Sequence, residues 1–348
     1  MRIAILDDYQ HAALASADWA SLDAEVTTFS GHIPDTADLV AELRPFDVIV
    51  AMRERTPFTA ERIRLLPNLR LLVTTGMRNA SIDVVAANEA GVTVCGTRGA
   101  PGATPELTWA LILALVRHVP EEDRRIREGG WQHTIGLGLR GRTLGIVGLG
   151  NIGRQVAAIG NAFGMEVLAW SQRLSPAAAA EAGATAVGKE ELFSASDVIT
   201  VHYKLGDRSV GLVGARELGL MKPTAFLVNT SRGPIVDEDA LRAALEAGTI
   251  AGAGLDVYDE EPLPGGHPVR SAPRTVLTPH LGYVTDDGYR TFYGDAVENI
   301  AAFAAGRPVR VLKNILFLSL KLTFGAGRGV LKEARHRGGS VHGSNQAS

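Results

Sequence analysis

The chain is short of several things, and each shortage closes off a class of protein. It has one cysteine, Cys95, so no disulfide framework can form within it. That thiol lies in the apolar run Val92-Thr93-Val94-Cys95 and reads as a buried structural residue. Positive charge is not in excess: 35 Lys and Arg face 38 Asp and Glu, a net charge of −3. Nothing in that balance offers a footprint for nucleic acid or an anionic membrane, and neither is expected as a partner. No run is long and apolar enough to span a bilayer. The first residues open directly on a strand, Arg2-Ile3-Ala4-Ile5-Leu6, with no signal peptide, so a soluble cytoplasmic protein is expected. His118, His133 and His202 lack metal-ligand spacing, and no metal site is read.

What is present is ample core material: 46% hydrophobic residues in 348, enough for two domains. Short apolar runs alternate with helical patterns. Ile3–Leu6, Val26–Phe29, Val48–Ala51, Leu71–Thr75 and Val92–Cys95 read as strands. Ala37–Leu43, Thr59–Leu65 and Ile82–Ala90 read as helices between them. A Gly- and Pro-rich linker, Gly99–Thr104, leads to a long apolar helix, Pro105–His118. A second series follows, with strands at Gly145–Val147, Val167–Trp170, Val198–His202, Phe226–Asn229, Ala253–Val257 and Val276–Thr278. Trp109 and Trp131 read as packing residues. This rhythm predicts an α/β protein with two Rossmann-like, doubly wound parallel sheets and a site in the cleft between them. The expected units are a discontinuous one, 1–98 plus 283–315, and a dinucleotide-binding one, 99–282. Residues 316–348 carry Gly, Arg, His and Ser with little periodicity and read as a disordered tail.

The second series begins at Thr143-Leu144-Gly145-Ile146-Val147-Gly148-Leu149-Gly150-Asn151-Ile152-Gly153, a strand, a glycine turn and a helix start. Gly148, Gly150 and Gly153 match G-x-G-x-x-G. Gly148 allows the tight turn, Gly150 lets backbone approach a pyrophosphate, and Gly153 lets helix and strand pack closely. Free N–H groups around Asn151 and Ile152 at the helix start would hold the phosphates. The first series has its own loops at strand ends. One is Met52-Arg53-Glu54-Arg55. Another is Thr75-Gly76-Met77-Arg78, whose amides after Gly76 can clasp an anion.

Three further blocks end successive strands: Asn229-Thr230-Ser231-Arg232-Gly233, Asp256-Val257-Tyr258-Asp259-Glu260-Glu261-Pro262, and Thr278-Pro279-His280-Leu281-Gly282. Parallel strands bring such ends to one edge. An Arg, a carboxylate and a His in one crevice suit carbonyl reduction. The guanidinium binds a carboxylate and polarises the carbonyl, and the imidazolium gives a proton to oxygen.

With these blocks in this order, the sequence resembles the D-isomer-specific 2-hydroxyacid dehydrogenase family from about Arg2 to Leu312. The resemblance implies Arg232 as substrate and carbonyl binder, Glu261 as partner of the histidine, and His280 as general acid and base. It implies Thr230 and Asp256 near the nicotinamide, and Gly76, Met77 and Arg78 at the substrate carboxylate; Gly282 is a further cofactor contact, and His202, at a strand end on the cofactor side, lines the nucleotide pocket. Arg53 resembles a substrate-contacting arginine of some members. Glu261 is the match because it directly precedes Pro262, while Asp259 and Glu260 face solvent. Members like this one are commonly dimers, which makes the helix Pro105–His118 an expected homodimer face.

The chain departs from the family at several points. The acid that follows the second strand of most NAD sites is replaced by Ser171-Gln172-Arg173, which would accept a 2′-phosphate, so NADP is preferred over NAD. Thr104, in Ala100-Pro101-Gly102-Ala103-Thr104-Pro105-Glu106, replaces the usual helix start and can still approach the cofactor. The expected function is hydride transfer between NAD(P)H and a small 2-oxo or D-2-hydroxy acid. A formate dehydrogenase is disfavoured, because that branch carries Gln where Glu261 stands. A dinucleotide-sensing corepressor on the same fold remains the alternative.

Overall fold

The computed structural model describes residues 1–312; the tail expected from 316 lies outside them. The chain begins with β1 (Arg2–Ile5), β2 (Glu25–Thr28), α1 (Thr36–Leu43), β3 (Val48–Ala51), α2 (Ala60–Arg64), β4 (Leu71–Thr74), α3 (Val84–Glu89) and β5 (Thr93–Gly96). The five strands form one parallel sheet in the order β2-β1-β3-β4-β5. All four residues of β3 and of β4 are buried. Strands covered on both faces need continuous apolar runs rather than alternation, and Val-Ile-Val-Ala and Leu-Leu-Val-Thr supply them. Short polar caps start the helices between. The Asp35 carboxylate accepts from the amides of Ala37 and Asp38, and Thr59 caps α2.

The chain then crosses into α4 (Ala103–Val116), α5 (Val119–Arg127), β6 (Thr143–Val147), α6 (Asn151–Ala162), β7 (Glu166–Trp170), α7 (Pro176–Ala180), β8 (Thr185–Ala186), α8 (Lys189–Ala195) and β9 (Val198–Val201). It continues through α9 (Ala215–Leu220), β10 (Phe226–Asn229), α10 (Glu238–Ala247), β11 (Gly252–Leu255) and β12 (Thr275–Leu277). These strands form a seven-stranded parallel sheet, β12-β11-β10-β9-β6-β7-β8. The order reverses between β6 and β9, and ligands of such sheets bind outside the strand ends at that point.

The last element, α11 (Asp286–Ala304), returns to the first sheet. Its Tyr289, Phe292, Tyr293, Ala296 and Ile300 pack with Ile3, Val48 and Leu71. Truncating a residue such as Phe292 to alanine would cost about 3–5 kcal/mol. Leu312 then donates its amide to the Val94 carbonyl. Cys95 is buried in this core, and burial pushes its thiol up to about 11.

Two local expectations need correction. The linker is shorter than expected, because α4 starts at Ala103, with Pro105 in its first turn. The first amides of a helix have no carbonyl to bond, so proline is tolerated there. Trp109 is buried, but Trp131 is 71% exposed and is no packing residue of this chain. Among the described residues no helix is long and apolar enough to cross a membrane.

Candidate active site

Every candidate residue sits just past the C-terminal end of a parallel strand or at the start of the helix that follows. Arg53 follows β3 and Gly76 follows β4. Gly148 follows β6, Ser171 β7, His202 β9, Thr230 β10, Asp256 β11 and His280 β12. The expected constellation is therefore assembled by sheet direction, and loops that follow strands of both sheets line one cavity.

The glycine turn carries its own test of fit for a dinucleotide. A Cβ on Gly148 would lie 2.7 Å from the His202 carbonyl oxygen, and one on Gly153 would lie 2.3 Å from the Gly148 carbonyl oxygen. The protein itself enforces those two glycines. A Cβ on Gly150 would meet nothing within 4 Å. Its absence keeps open a cradle at the start of α6, whose first residue is Asn151, followed by Ile152. Gly150 gives that helix no side-chain cap, so its first N–H groups and positive dipole end remain available to an anion. The Ser171 hydroxyl accepts the Leu149 amide at 3.2 Å and ties the turn to the loop after β7.

A cavity of about 960 Å³ opens beside this turn, lined by Gly148, Gly150, Ser171, Gln172, Arg173, His202 and the 203–209 loop. Arg173 is exposed at its rim, and no acid stands at 171–173. His202 Nε2 lies 2.9 Å from the Thr200 hydroxyl, while its Nδ1 is buried without a partner. Burial pushes this imidazole down to about 3, so it stays neutral.

A second cavity, about 980 Å³, contains Arg232, Glu261 and His280 together with Arg53, Glu54, Met77, Arg78, Lys204 and Tyr283. Arg232 is delivered by a turn that the Asn229 side chain builds. Asn229 accepts the Ser231 amide and donates to the Arg232 carbonyl oxygen. The turn then lies flat on the next loop, because a Cβ on Gly233 would fall 2.1 Å from the Tyr258 carbonyl carbon. Glu261 Oε1 accepts the Tyr258 amide at 2.9 Å, and Oε2 lies 2.5 Å from His280 Nδ1. Burial alone would raise the Glu261 carboxyl. The hydrogen bond and charge of His280, the Tyr258 amide and Arg232 outweigh burial and hold it below the ordinary carboxylate range. His280 Nε2 makes no hydrogen bond among the described residues, and the Tyr283 ring meets the imidazole edge-on at 5.4 Å.

The loop after β4 corrects one expectation. The Gly76 amide is already bonded to the Thr97 hydroxyl at 2.8 Å, so Gly76 itself has no donor to offer an anion. The Met77 and Arg78 amides form no bond among the described residues. Gly76, at φ +95, serves instead as a floor for Arg53, since a Cβ there would lie 2.1 Å from Arg53 Nη1. Arg53 donates to Thr75 through its amide and guanidinium, and lies 5.6 Å from the Tyr283 ring centroid.

Three residues expected at the cofactor have side chains already engaged within the chain. The Thr230 hydroxyl is 2.8 Å from that of Thr108, and the Thr104 hydroxyl donates to the Gly282 carbonyl oxygen at 2.8 Å. Asp256 is fully buried. Its Oδ1 accepts from the Thr278 hydroxyl and the Leu281 amide, and its Oδ2 accepts from the Gly282 amide. Asp256 thus braces both sides of His280, whose φ of +54 places it in the left-handed region. Burial raises this carboxyl against the pull of those bonds. Sequence reasoning missed Glu54 and Tyr283. Glu54 lies in a loop it had singled out; Arg53, Glu54 and Arg55 all line the cavity, and nothing local marks that Glu54 meets Arg232.

Comparison with known proteins gives the family. Residues 109–282 match the model of the D-isomer specific 2-hydroxyacid dehydrogenase NAD binding domain. A glyoxylate reductase of Aeropyrum pernix is 42% identical over 251 residues, which is 69% of this chain and 75% of that one. A glyoxylate reductase of Thermococcus litoralis is 36% identical over 295 residues, covering 81% of this chain and 88% of that one. The crystal structure of a phosphoglycerate oxidoreductase from Vibrio cholerae superposes with a TM-score of 0.84 at 40% identity, covering 88% of this chain and 99% of that one. The chain belongs to the D-isomer-specific 2-hydroxyacid dehydrogenases, NAD(P)-dependent oxidoreductases acting on CH–OH donors.

Proposed function

We propose that this enzyme interconverts a small 2-oxo acid and its D-2-hydroxy acid, with His280 as general acid and base, Glu261 as its partner and Arg232 as substrate anchor. The observation carrying this reading is the 2.5 Å His280–Glu261 pair in the same cavity as Arg232. The dinucleotide, when bound on the glycine turn, supplies the hydride or takes it up. The Arg232 guanidinium pairs with the substrate carboxylate and draws electron density from the carbonyl oxygen. His280 delivers a proton from Nε2 to that oxygen, or removes it in the reverse direction. Glu261 holds the ring through Nδ1 and balances the imidazolium charge. The Met77 and Arg78 amides, with Arg53, complete the carboxylate site. Closure of the two lobes, which among the described residues are 1–98 plus 283–312 and 99–282, would exclude water.

The test is an initial-rate panel of glyoxylate, hydroxypyruvate, pyruvate and bulkier 2-oxo acids, each with NADH and NADPH. Turnover of none of them would sink the reading. So would undiminished turnover after Arg232→Ala.

We further infer a preference for NADP. Ser171, Gln172 and Arg173 at the cavity rim support it, because they offer donors and a cation where an acid would repel a 2′-phosphate. Arg173→Asp should shift kcat/KM toward NADH; a wild type that already favours NADH overturns the inference.

A homodimer is proposed as well, but on a different face from the one expected. The apolar side of α4 is buried in its own subunit through Trp109, Leu111, Ile112 and Leu115. Val119, Ile126, Trp131 and Ile135 are instead exposed close by and form the better candidate.

A further inference from the structure

Glu54 is an acid in a site built for anions. Its Oε1 accepts from Arg232 Nη2 at 3.2 Å, so it touches the side chain assigned above to the substrate carboxylate. Its other oxygen, Oε2, is buried and has no hydrogen-bond partner. Arg53 Nε is also buried and unpartnered, and the two atoms stand 3.7 Å apart, too far for a hydrogen bond. The cleft therefore holds a buried donor and a buried acceptor side by side that are within ion-pair range but share no hydrogen bond. Buried polar atoms are nearly always paired, so an adjacent unmatched pair in a substrate cavity marks a place for a ligand.

We propose that Glu54 selects the substituent on the substrate carbon next to the carbonyl, accepting a hydrogen-bond donor there and rejecting a second anion. The inference rests on the reading of Arg232 as the substrate anchor. A carboxylate held by Arg232 and Arg53 places the rest of a small substrate against Glu54. A hydroxyl on the next carbon donates to Oε2 and satisfies it. A methyl leaves that oxygen unmatched. A carboxylate meets a like charge at a side chain that is only partly exposed. Arg55, Arg78, Lys204 and Asp259 also line the cavity, but among the described residues Glu54 is the carboxylate paired with Arg232.

Three substrates that differ only at this carbon make the test: pyruvate, hydroxypyruvate and oxaloacetate, each with saturating dinucleotide. The wild type should rank hydroxypyruvate above pyruvate and oxaloacetate last in kcat/KM. Glu54→Gln removes the charge but keeps the shape, and should raise the oxaloacetate-to-pyruvate ratio about tenfold or more. Glu54→Ala should erase most of the hydroxypyruvate-to-pyruvate preference. The dinucleotide KM should stay put in both variants, which separates a lost selector from a damaged fold. A wild type that uses oxaloacetate as readily as pyruvate overturns the proposal without any variant, and so do ratios unchanged in Glu54→Gln. If no 2-oxo acid is turned over at all, the underlying reading of the site falls and takes this one with it.

Discussion

Glu261 Oε2 and His280 Nδ1 stand 2.5 Å apart, although 19 residues separate them in the chain. One Glu261 oxygen is fixed by the Tyr258 amide, so the other can fix the imidazole. Glu261→Gln should lower kcat about 10- to 100-fold, and His280→Ala about 100- to 10,000-fold, both with little change in dinucleotide affinity. Stopped-flow binding beside steady-state rates checks the split. The sign of the acid response follows from the depressed Glu261 carboxyl. The pair's contribution is complete above the ordinary carboxylate range and is lost as pH falls through the lower folded value.

The glycine turn makes opposite predictions for neighbouring positions. Gly150→Ala meets no atom of the protein and has an ordinary negative φ, so thermal stability should hold while the dinucleotide Kd rises tenfold or more. Gly153→Ala drives a methyl into the Gly148 carbonyl, so stability itself should fall, by about 1–3 kcal/mol. Melting curves with and without dinucleotide tell the two apart.

Asp256 offers a test of positioning at a distance from the reacting atoms. Asp256→Asn puts an NH2 group among the Thr278 hydroxyl and the Leu281 and Gly282 amides that now donate to a carboxylate. Loosening the His280 loop should cut kcat more than it raises either KM. Asp256→Glu should not restore activity, because the site is fully buried and has no room for another methylene.

Asp295 ties α11 to the segment that follows β5. Its carboxylate accepts from the Arg98 amide and guanidinium, and Arg310 stands 3.8 Å away. Burial would raise this carboxyl, but Arg98 and Arg310 bring it below its usual range. Asp295→Asn should cost about 2 kcal/mol near neutral pH. The gap between wild type and variant should narrow as pH falls through the depressed value, because the wild type then loses what the variant never had. Urea melts at two pH values measure it.

The exposed apolar face at Ile126 and Trp131 should be sensitive to charge. Trp131→Glu, alone or with Ile126→Glu, should convert the proposed dimer to monomer in sedimentation velocity. A wild type that sediments as a monomer removes the proposal.

Much of this was written locally. Parallel strands buried on both faces must be short apolar runs, helices between them must be capped, and G-x-G-x-x-G must turn tightly. Neighbours a few residues apart decide such features, so the chain's order shows them, as it shows Arg232, Glu261 and His280 at strand ends. Some elements escaped: β8 with two residues, α7 and α9 with five and six, and the mostly charged α5 with nine, none of which shows a clear apolar run. Partner choice escaped as well. Nothing near Glu54 announces a bond to Arg232, 178 positions away, and nothing near Gly76 shows that Thr97 takes its amide. The bonds from Asp256 to Thr278, Leu281 and Gly282 show only once the 278–282 loop is folded over it, and Trp131 reads as core until the surface is drawn. Sequence by itself determined the sheets and the chemistry at their edges, because strand direction and helix capping are short-range. Only the tertiary structure decided which donor meets which acceptor across the cleft, because that depends on loops approaching from elements far apart in the chain.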